Sequence, residues 1–451
     1  MIFLHLESGE FMVRSLWSGV AGLKTHQQQM DVIGNNVANV NTTSYKSQRS
    51  TFGDLLYQTS KKAYAPSAVR SGTNAKQIGL GAKTSAIMTN VAKQGSIQTT
   101  DAPFDVSITG DSFFVIENAS GQLNYSRDGS FTVDANGYLV TRGNGYYVRG
   151  ITEEGQEAAN LGRIQVLPID DEGNIQTMAG EATTYARVAG NISRTDTQLS
   201  KEGGRTLDLE FYGTDGNTYT MRLRFTDAGD DNDTTYQATI SNIYDANHND
   251  IAGGVPEDNT IALTYDPTTG KFTAADGQDN GQVVVAFQGD AAAAGTLTLD
   301  FSATTNYAPL NGSSSSSLEA YRGDAEGNLE GYPEGKMTGV SIGRDGTITR
   351  LFSNGQTMFA GQIVVAEFAN VTGLEKEGEN LYSVTGNSGE PNYMFVTDDG
   401  GYMTAGTLEM SNVDLSTEFT NMIVTQRGFQ ANSRVITVTD TLLDELRQLK
   451  R

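Results

Sequence analysis

Residues 415–449 read LSTEFTNMIVTQRGFQANSRVITVTDTLLDELRQL. Positions recur there in steps of four and three: Leu415, Phe419, Met422, Gln426 and Phe429, then, after a register shift, Val435, Val438, Leu442, Leu446 and Leu449. That is a heptad rhythm, the mark of a helix that pairs with another along a narrow seam. Ser411 or Asn412 stands where an N-cap is expected, and Lys450 and Arg451 suit the negative end of the helix dipole. So narrow a stripe needs a partner.

The other end of the chain repeats the rhythm. Leu16, Val20, Leu23, Met30 and Val37 follow the same steps, with Gln27 at the skipped site. The spacing predicts a helix to about Val40, roughly 37 Å at 1.5 Å per residue. Lys24, Gln28, Asp31 and Asn35 form its polar face, with His26 on that side. Asn39, Asn41, Thr42 and Thr43 end it. The amides of Asn35, Asn36, Asn39 and Asn41 can either bond neighbouring molecules or serve only to close the helix. Two heptad helices at opposite termini imply pairing with each other, with neighbouring copies, or both. A plain four-helix bundle is disfavoured, because nothing between them reads as a long amphipathic helix.

The middle reads as β-structure. Phe104–Ile108 alternates, and Phe113-Phe114-Val115-Ile116 is a short buried run. Asp128-Gly129, Asn136-Gly137 and Asn144-Gly145 follow at eight-residue spacing as hairpin turns. Around a turn at Asp215-Gly216, Leu207, Leu209 and Phe211 alternate before it, and Tyr219, Met221, Leu223 and Phe225 share one face after it. A third block over 337–405 turns at Asp345-Gly346, Asn354-Gly355 and Asp399-Gly400, with Ile363-Val364-Val365 as a buried strand. Gly312 and Ser313–Ser317 read as a flexible tract near 306–336.

The expected architecture is therefore mainly β with α-helical terminal segments: discontinuous, nested β domains whose N- and C-terminal helices pair as a coiled coil. Residues 12–50 and 408–451 form a helical assembly domain, and 51–84 an extended linker. Residues 85–150 and 336–407 form an inner β domain, and 151–335 one or more outer β domains.

Composition narrows the functional classes. The 451 residues include 51 Gly, 8 Pro and no Cys, which excludes disulfides, thiolate metal sites and thiol nucleophiles. A formal net charge of −23 disfavours nucleic acid and anionic membranes as partners. No apolar run is long enough to insert in a membrane, and Met1–Leu6 lacks the basic start and length of a signal peptide. The three histidines, His5, His26 and His248, fit no catalytic or metal pattern, so no catalytic residue, cofactor or metal site is expected. The cluster Asp227, Asp230, Asp231 and Asp233 lacks the glycine and closing glutamate of a calcium loop and reads as a solvated hairpin tip.

Three motifs in order carry a resemblance. Ser15-Leu16-Trp17-Ser18-Gly19-Val20 leads into Ile33-Gly34-Asn35-Asn36-Val37-Ala38-Asn39-Val40-Asn41-Thr42. Gly110-Asp111-Ser112-Phe113-Phe114 follows. Ser411–Phe419 then leads into Gln426-Arg427-Gly428-Phe429-Gln430-Ala431-Asn432. Together they resemble the bacterial flagellar rod, hook and hook-associated proteins over roughly 12–150 and 335–451. The long insertion 151–335, Thr206–Asn217 and Gln77–Lys83 are more similar to hook than to distal rod members. Family members usually begin near Met12, so residues 1–11 read either as a start-site extension upstream of the true initiator Met12 or as a genuine short extension.

The resemblance implies a self-assembling structural subunit, not an enzyme. It would form a curved, flexible tube exported without a cleaved signal through the flagellar type III apparatus and lying outside the cell. Implied partners are copies of itself, a hook cap, the distal rod protein and the hook–filament junction proteins. The assembly contacts would fall on Leu16, Val20, Leu23, Met30, Asn35, Asn36, Val37, Asn39 and Asn41. On the second helix they would fall on Leu415, Phe419, Met422, Gln426, Arg427, Phe429, Asn432, Val438, Leu442 and Leu446. The competing readings are a distal rod subunit and a secreted β-rich binding module.

Overall fold

The computed structural model describes residues 3–66, 70–169, 173–229, 234–251, 254–256, 258–308 and 314–449. One helix occupies each end, α1 at Phe3–Ala38 and α2 at Leu415–Leu449, with short strands between them. The chain divides into two compact units. The first comprises Met1–Pro168, Val340–Thr349 and Phe359–Arg451, and the second Ile169–Gly339 and Arg350–Met358.

The first unit is organised around the strand Phe113–Glu117, buried at every residue. It pairs with Leu123–Ser126 on one side, and with Tyr147–Ile151 and Val365–Glu367 on the other. Phe114 and Ile116 enter one apolar cluster with Val106, Phe131, Leu139, Val148 and Ile363. Phe113 and Val115 enter another with Tyr125, Phe368 and Tyr382. A strand covered on both faces has no reason to alternate, so this segment is continuously apolar.

Asn136-Gly137 and Asn144-Gly145 form tight turns with the glycine at positive φ. Asp128-Gly129 does not form the expected hairpin. The strand before it pairs elsewhere from the strand after it, and Gly129 has ordinary φ. A Cβ at Gly129 would lie 1.8 Å from the Val106 carbonyl oxygen, so glycine there permits close backbone approach. The first unit also reaches beyond residue 150. Gly162–Arg163 pairs with Tyr147–Ile151, and Ile164 and Val166 are fully buried in the same core.

Among the described residues the second unit has two sheets. Strands Arg205–Tyr212, Thr218–Asp227, Thr235–Tyr244, Thr260–Tyr265 and Phe272–Ala275 form an antiparallel meander. Strands Gln282–Ala286, Thr296–Thr305, Tyr185–Asn191 and Ser317–Arg322 form the other, with Tyr185–Asn191 parallel to Thr296–Thr305. One apolar core unites them: Leu209, Phe211, Met221, Leu223, Phe225, Ile240 and Leu263 from the meander, and Val188, Leu297, Leu299 and Phe301 from the other sheet. Tyr219, Met221, Leu223 and Phe225 share the buried face that their period of two predicts.

The serine tract is not a free linker where it is described. Ser316 is buried, its amide donating to Asp196 Oδ2 at 2.7 Å and its hydroxyl accepting from the Ser193 amide at 3.0 Å. Ser317 already belongs to a paired strand. Composition alone misreads such a segment because serine hydroxyls can satisfy buried backbone as well as water does. Gly312, Ser313, Asp230, Asp231, Asp233, Lys450 and Arg451 lie outside the described residues.

Candidate assembly surface on the terminal helices

Helices α1 and α2 run antiparallel within the first unit. Ser15 and Thr439 share a hydroxyl contact of 3.4 Å near one end, and Asn36 Nδ2 donates to Glu418 Oε1 at 3.0 Å near the other. Between these points glycines let the helices approach closely. A Cβ on Gly19 would stand 3.3 Å from Ile436 Cγ1, one on Gly22 2.8 Å from the Asn432 amide, and one on Gly428 2.6 Å from the His26 ring. His26 is therefore on the pairing side, half-buried and edge-on to Phe52, and not on a polar outer face.

The seam on α1 steps through Ser15, Gly19, Gly22, Thr25 and His26, Gln29, Val32 and Ile33, and Asn36. On α2 it steps through Glu418, Met422, Thr425, Phe429, Asn432, Ile436 and Thr439, in unbroken fours and threes. No register shift interrupts it. The expected seam stripe lies one residue to the side along most of both helices. Met422, Phe429, Asn432 and Leu446 are half-buried, as are Leu16, Leu23, Met30 and Val37.

Leu415, Phe419, Val435, Val438, Leu442 and Leu449 are exposed, as are Val20, Gln426 and Arg427. Ile423 and Val424 join them at 59% and 64% exposure, and Trp17 at 67%. The helix pair thus buries a mixed seam, with glycines and polar side chains beside Val32, Ile33, Phe429 and Ile436, and leaves much of its apolar surface outside. Trp17 and Val20 also line a depression of about 570 Å³ with Arg14, Ala21, Lys24, Leu55 and Leu80.

Helix α2 is capped by Asp414, not by Ser411 or Asn412. Its carboxylate accepts from the Ser416 amide at 2.9 Å and the Thr417 hydroxyl at 2.8 Å. Ser411 and Asn412 are buried instead. Asn412 accepts from the Ser47 amide and donates to the carbonyls of Asn90 and Lys93, tying the α2 entry to the chain leaving α1.

The asparagines at the end of α1 and just beyond it divide in the same way. Asn36 is buried, donating to Gln48 O and accepting from Gln48 N and Tyr45 Oη. Asn39 Nδ2 donates to Asn35 at the helix end, and Asn35 and Asn41 are exposed.

A buried ionic node fastens the base of the helix pair. Lys46 Nζ lies 2.7 Å from Glu409 Oε1, and Arg127 Nε 3.2 Å from Glu409 Oε2, with all three side chains at most 3% exposed. Glu409 also accepts from the Gly95 amide, and Arg127 donates to the carbonyls of Ile108, Gly110 and Ser112. Burial lowers the Lys46 pKa despite the favourable pull of Glu409. These residues, with Gly19, Gly22 and Gly428, were missed in the sequence reading. The glycines did leave a signal: small residues at heptad spacing, one position from the apolar ones. Among the described residues no group of three or more His, Asp or Glu is placed to hold a metal ion.

Comparison with known proteins places this geometry. Residues 16–46 match the model "Flagella basal body rod protein", 107–186 match "Flagellar hook protein FlgE/F/G D1 domain", and 404–449 match "Flagellar basal body rod FlgEFG protein C-terminal". The flagellar hook protein FlgE of Treponema pallidum is 35% identical, across 98% of this chain and 100% of that protein. The chain belongs to the flagellar hook protein family. The hook protein FlgE of Borreliella burgdorferi is 34% identical, across 97% and 100%. The basal-body rod protein FlgG of Bacillus subtilis also aligns with this hook-family chain, over 98% and 100%, at 28% identity. Helix α1 from Leu16 onward, all of α2 and the central strand Phe113–Glu117 fall inside matched segments.

Proposed function

We propose that this chain is the structural subunit of a bacterial flagellar hook, polymerising into a curved tube through its terminal helices. One observation carries the reading: the helices bury only part of their apolar surface in the seam and leave Leu415, Phe419, Ile423, Val424, Val438 and Leu442 exposed on α2. Each well-buried aliphatic or aromatic side chain contributes on the order of 1.5–3 kcal/mol, so a row of them in water favours association with further copies. Identities of 35% and 34% to the hook proteins of Treponema pallidum and Borreliella burgdorferi, against 28% to the rod protein of Bacillus subtilis, support the hook over the distal rod.

The role is structural, not catalytic. Leu16, Val20, Leu23, Met30 and Val37, with Leu415, Phe419, Met422, Phe429, Val438, Leu442 and Leu446, form the assembly surface, and Gln426, Arg427 and Asn432 add polar contacts. Asn35, Asn39 and Asn41 serve the same surface at the end of α1, while Asn36 acts within the subunit. The chain leaves the cell through the flagellar type III apparatus without a cleaved signal and meets a hook cap, the distal rod and the hook–filament junction proteins.

Phe419→Ser with Val424→Ser and Val438→Ser tests the reading by electron microscopy and sedimentation. The variant keeps wild-type helicity as a monomer and loses tube formation at concentrations where wild type assembles, even with seeds of preformed hook. Tubes from the triple variant at wild-type concentration overturn the assignment of that surface. Failure of the wild type to assemble on seeds overturns the hook reading.

A further inference from the structure

Charge is unevenly divided along this chain. Residues 55–100 carry six cations, Lys61, Lys62, Arg70, Lys76, Lys83 and Lys93, and no carboxylate, within a net charge of −23. Residues 169–339 are the reverse, with 27 of the 54 Asp and Glu and only nine of the 31 Lys and Arg.

The cationic segment forms a two-stranded ribbon in the first unit. Tyr57–Lys61 pairs antiparallel with Lys76–Gly79, and a further bridge joins Tyr64 to Thr73. Every residue of Tyr57–Lys61 is exposed, as are Lys62, Arg70 and Lys76. Leu56 is 79% exposed, and Tyr57 and Tyr64 are also open to solvent.

Two features make this ribbon poorly stabilised by itself. A two-stranded hairpin with no packed face is marginal in water. Lys61 also lies directly opposite Lys76 in the ladder, where like charges repel. Among the described residues, no ion pair involves Lys61, Lys62, Arg70 or Lys76. An acidic surface laid against the ribbon relieves the repulsion and covers the tyrosines together.

We infer that the ribbon docks, through Lys61, Lys62, Arg70 and Lys76 with Tyr57 and Tyr64, on the carboxylate-rich 169–339 unit of a second copy of this chain. The inference rests on the polymerising role proposed above, which brings copies together at high local concentration. Charge complementarity selects the occupant: the chain that carries the ribbon also carries the largest pool of unneutralised carboxylates. The contact is electrostatic and exposed, so added salt weakens it.

The test uses full-length chains, half of them labelled with ¹⁵N, mixed, seeded for assembly and treated with a zero-length carbodiimide that joins lysine to carboxylate. Mass spectrometry then reads mixed-isotope peptides. Links from Lys61, Lys62 or Lys76 to Asp or Glu within 169–339 are expected, falling about fivefold on raising salt from about 0.05 to 0.5 M. They become fewer in R70Q, which keeps all three lysines and the circular dichroism of wild type. Tubes lacking such links, or linking these lysines only within one copy, overturn the inference while the hook reading stands. Without tubes the hook reading falls, and links in the unassembled mixture decide the inference by the same criterion. Absence of links together with ribbon-dependent binding to phosphatidylglycerol vesicles assigns the ribbon to an anionic lipid surface and overturns it too.

Discussion

At the residue scale, the terminal helices depend on what is missing from their seam. Glycine normally costs a helix about 0.5–1 kcal/mol relative to alanine, so Gly→Ala at an open helical site stabilises. Gly34 is such a site, with nothing within 4 Å of a would-be Cβ, and G34A is expected to raise the thermal midpoint slightly. Gly428→Val, facing the His26 ring, is expected to lower stability by roughly 1–3 kcal/mol in urea, since overpacking outweighs propensity. Equal effects from the two variants would contradict the close seam. The buried node makes a second prediction. Glu409→Gln leaves the Lys46 and Arg127 cations in a site almost without solvent, at a loss of roughly 3–5 kcal/mol. A loss below about 1 kcal/mol would show that these cations reach water by local rearrangement, since relaxed charges cost little.

At the scale of elements, Glu418 couples the helix pair to pH. Burial raises its pKa above the ordinary glutamate range, Asp414 adds to the rise, and the hydrogen bond from Asn36 partly opposes it. Between the unfolded and folded pKa values the folded state binds more protons, so stability falls as pH rises through that window. Glu418→Gln is expected to flatten this decline, seen as a urea midpoint that changes less between about pH 4 and pH 8. Identical profiles for wild type and variant would remove Glu418 from the account. Both helices and their rhythm were legible in the sequence, but which stripe is buried was not. Two stripes one residue apart share the period of 3.5, and counting apolar residues chooses Phe419 and Val438 over Glu418, Thr425 and Thr439. The buried node was illegible for another reason: Glu409 meets partners 363 and 282 residues away, and no local pattern encodes that. Strand 219–225 was legible because one covered face forces alternation, and the serine tract was misread because burial there rests on hydrogen bonds.

At the scale of the whole molecule, the two units carry separate apolar cores, and the buried residues in the core of the second run from Ala186 to Phe301, with Leu318 and Ala320 packed against them. Its chain ends are also stitched together. Met178 and Gly335 exchange backbone hydrogen bonds of 2.8 and 3.0 Å, so the stretch from 178 to 335 begins and ends side by side. A core that is local to one segment, with adjoining ends, has what an inserted domain needs to fold alone. The fragment 176–337 is therefore expected to unfold cooperatively in urea, with the near-ultraviolet circular dichroism of packed aromatics. Its complement, with 179–334 replaced by a short Gly-Asn turn, is expected to keep the helicity of α1 and α2 and still seed into tubes. The reason is that the assembly surface proposed above lies wholly on the terminal helices. If the fragment behaves as a collapsed, non-cooperative chain, the second core requires the first, and the unit is not an inserted domain. If the complement folds yet never joins a seeded tube, subunit contacts made by residues 179–334 are needed for assembly, and the exposed helical stripe is insufficient alone.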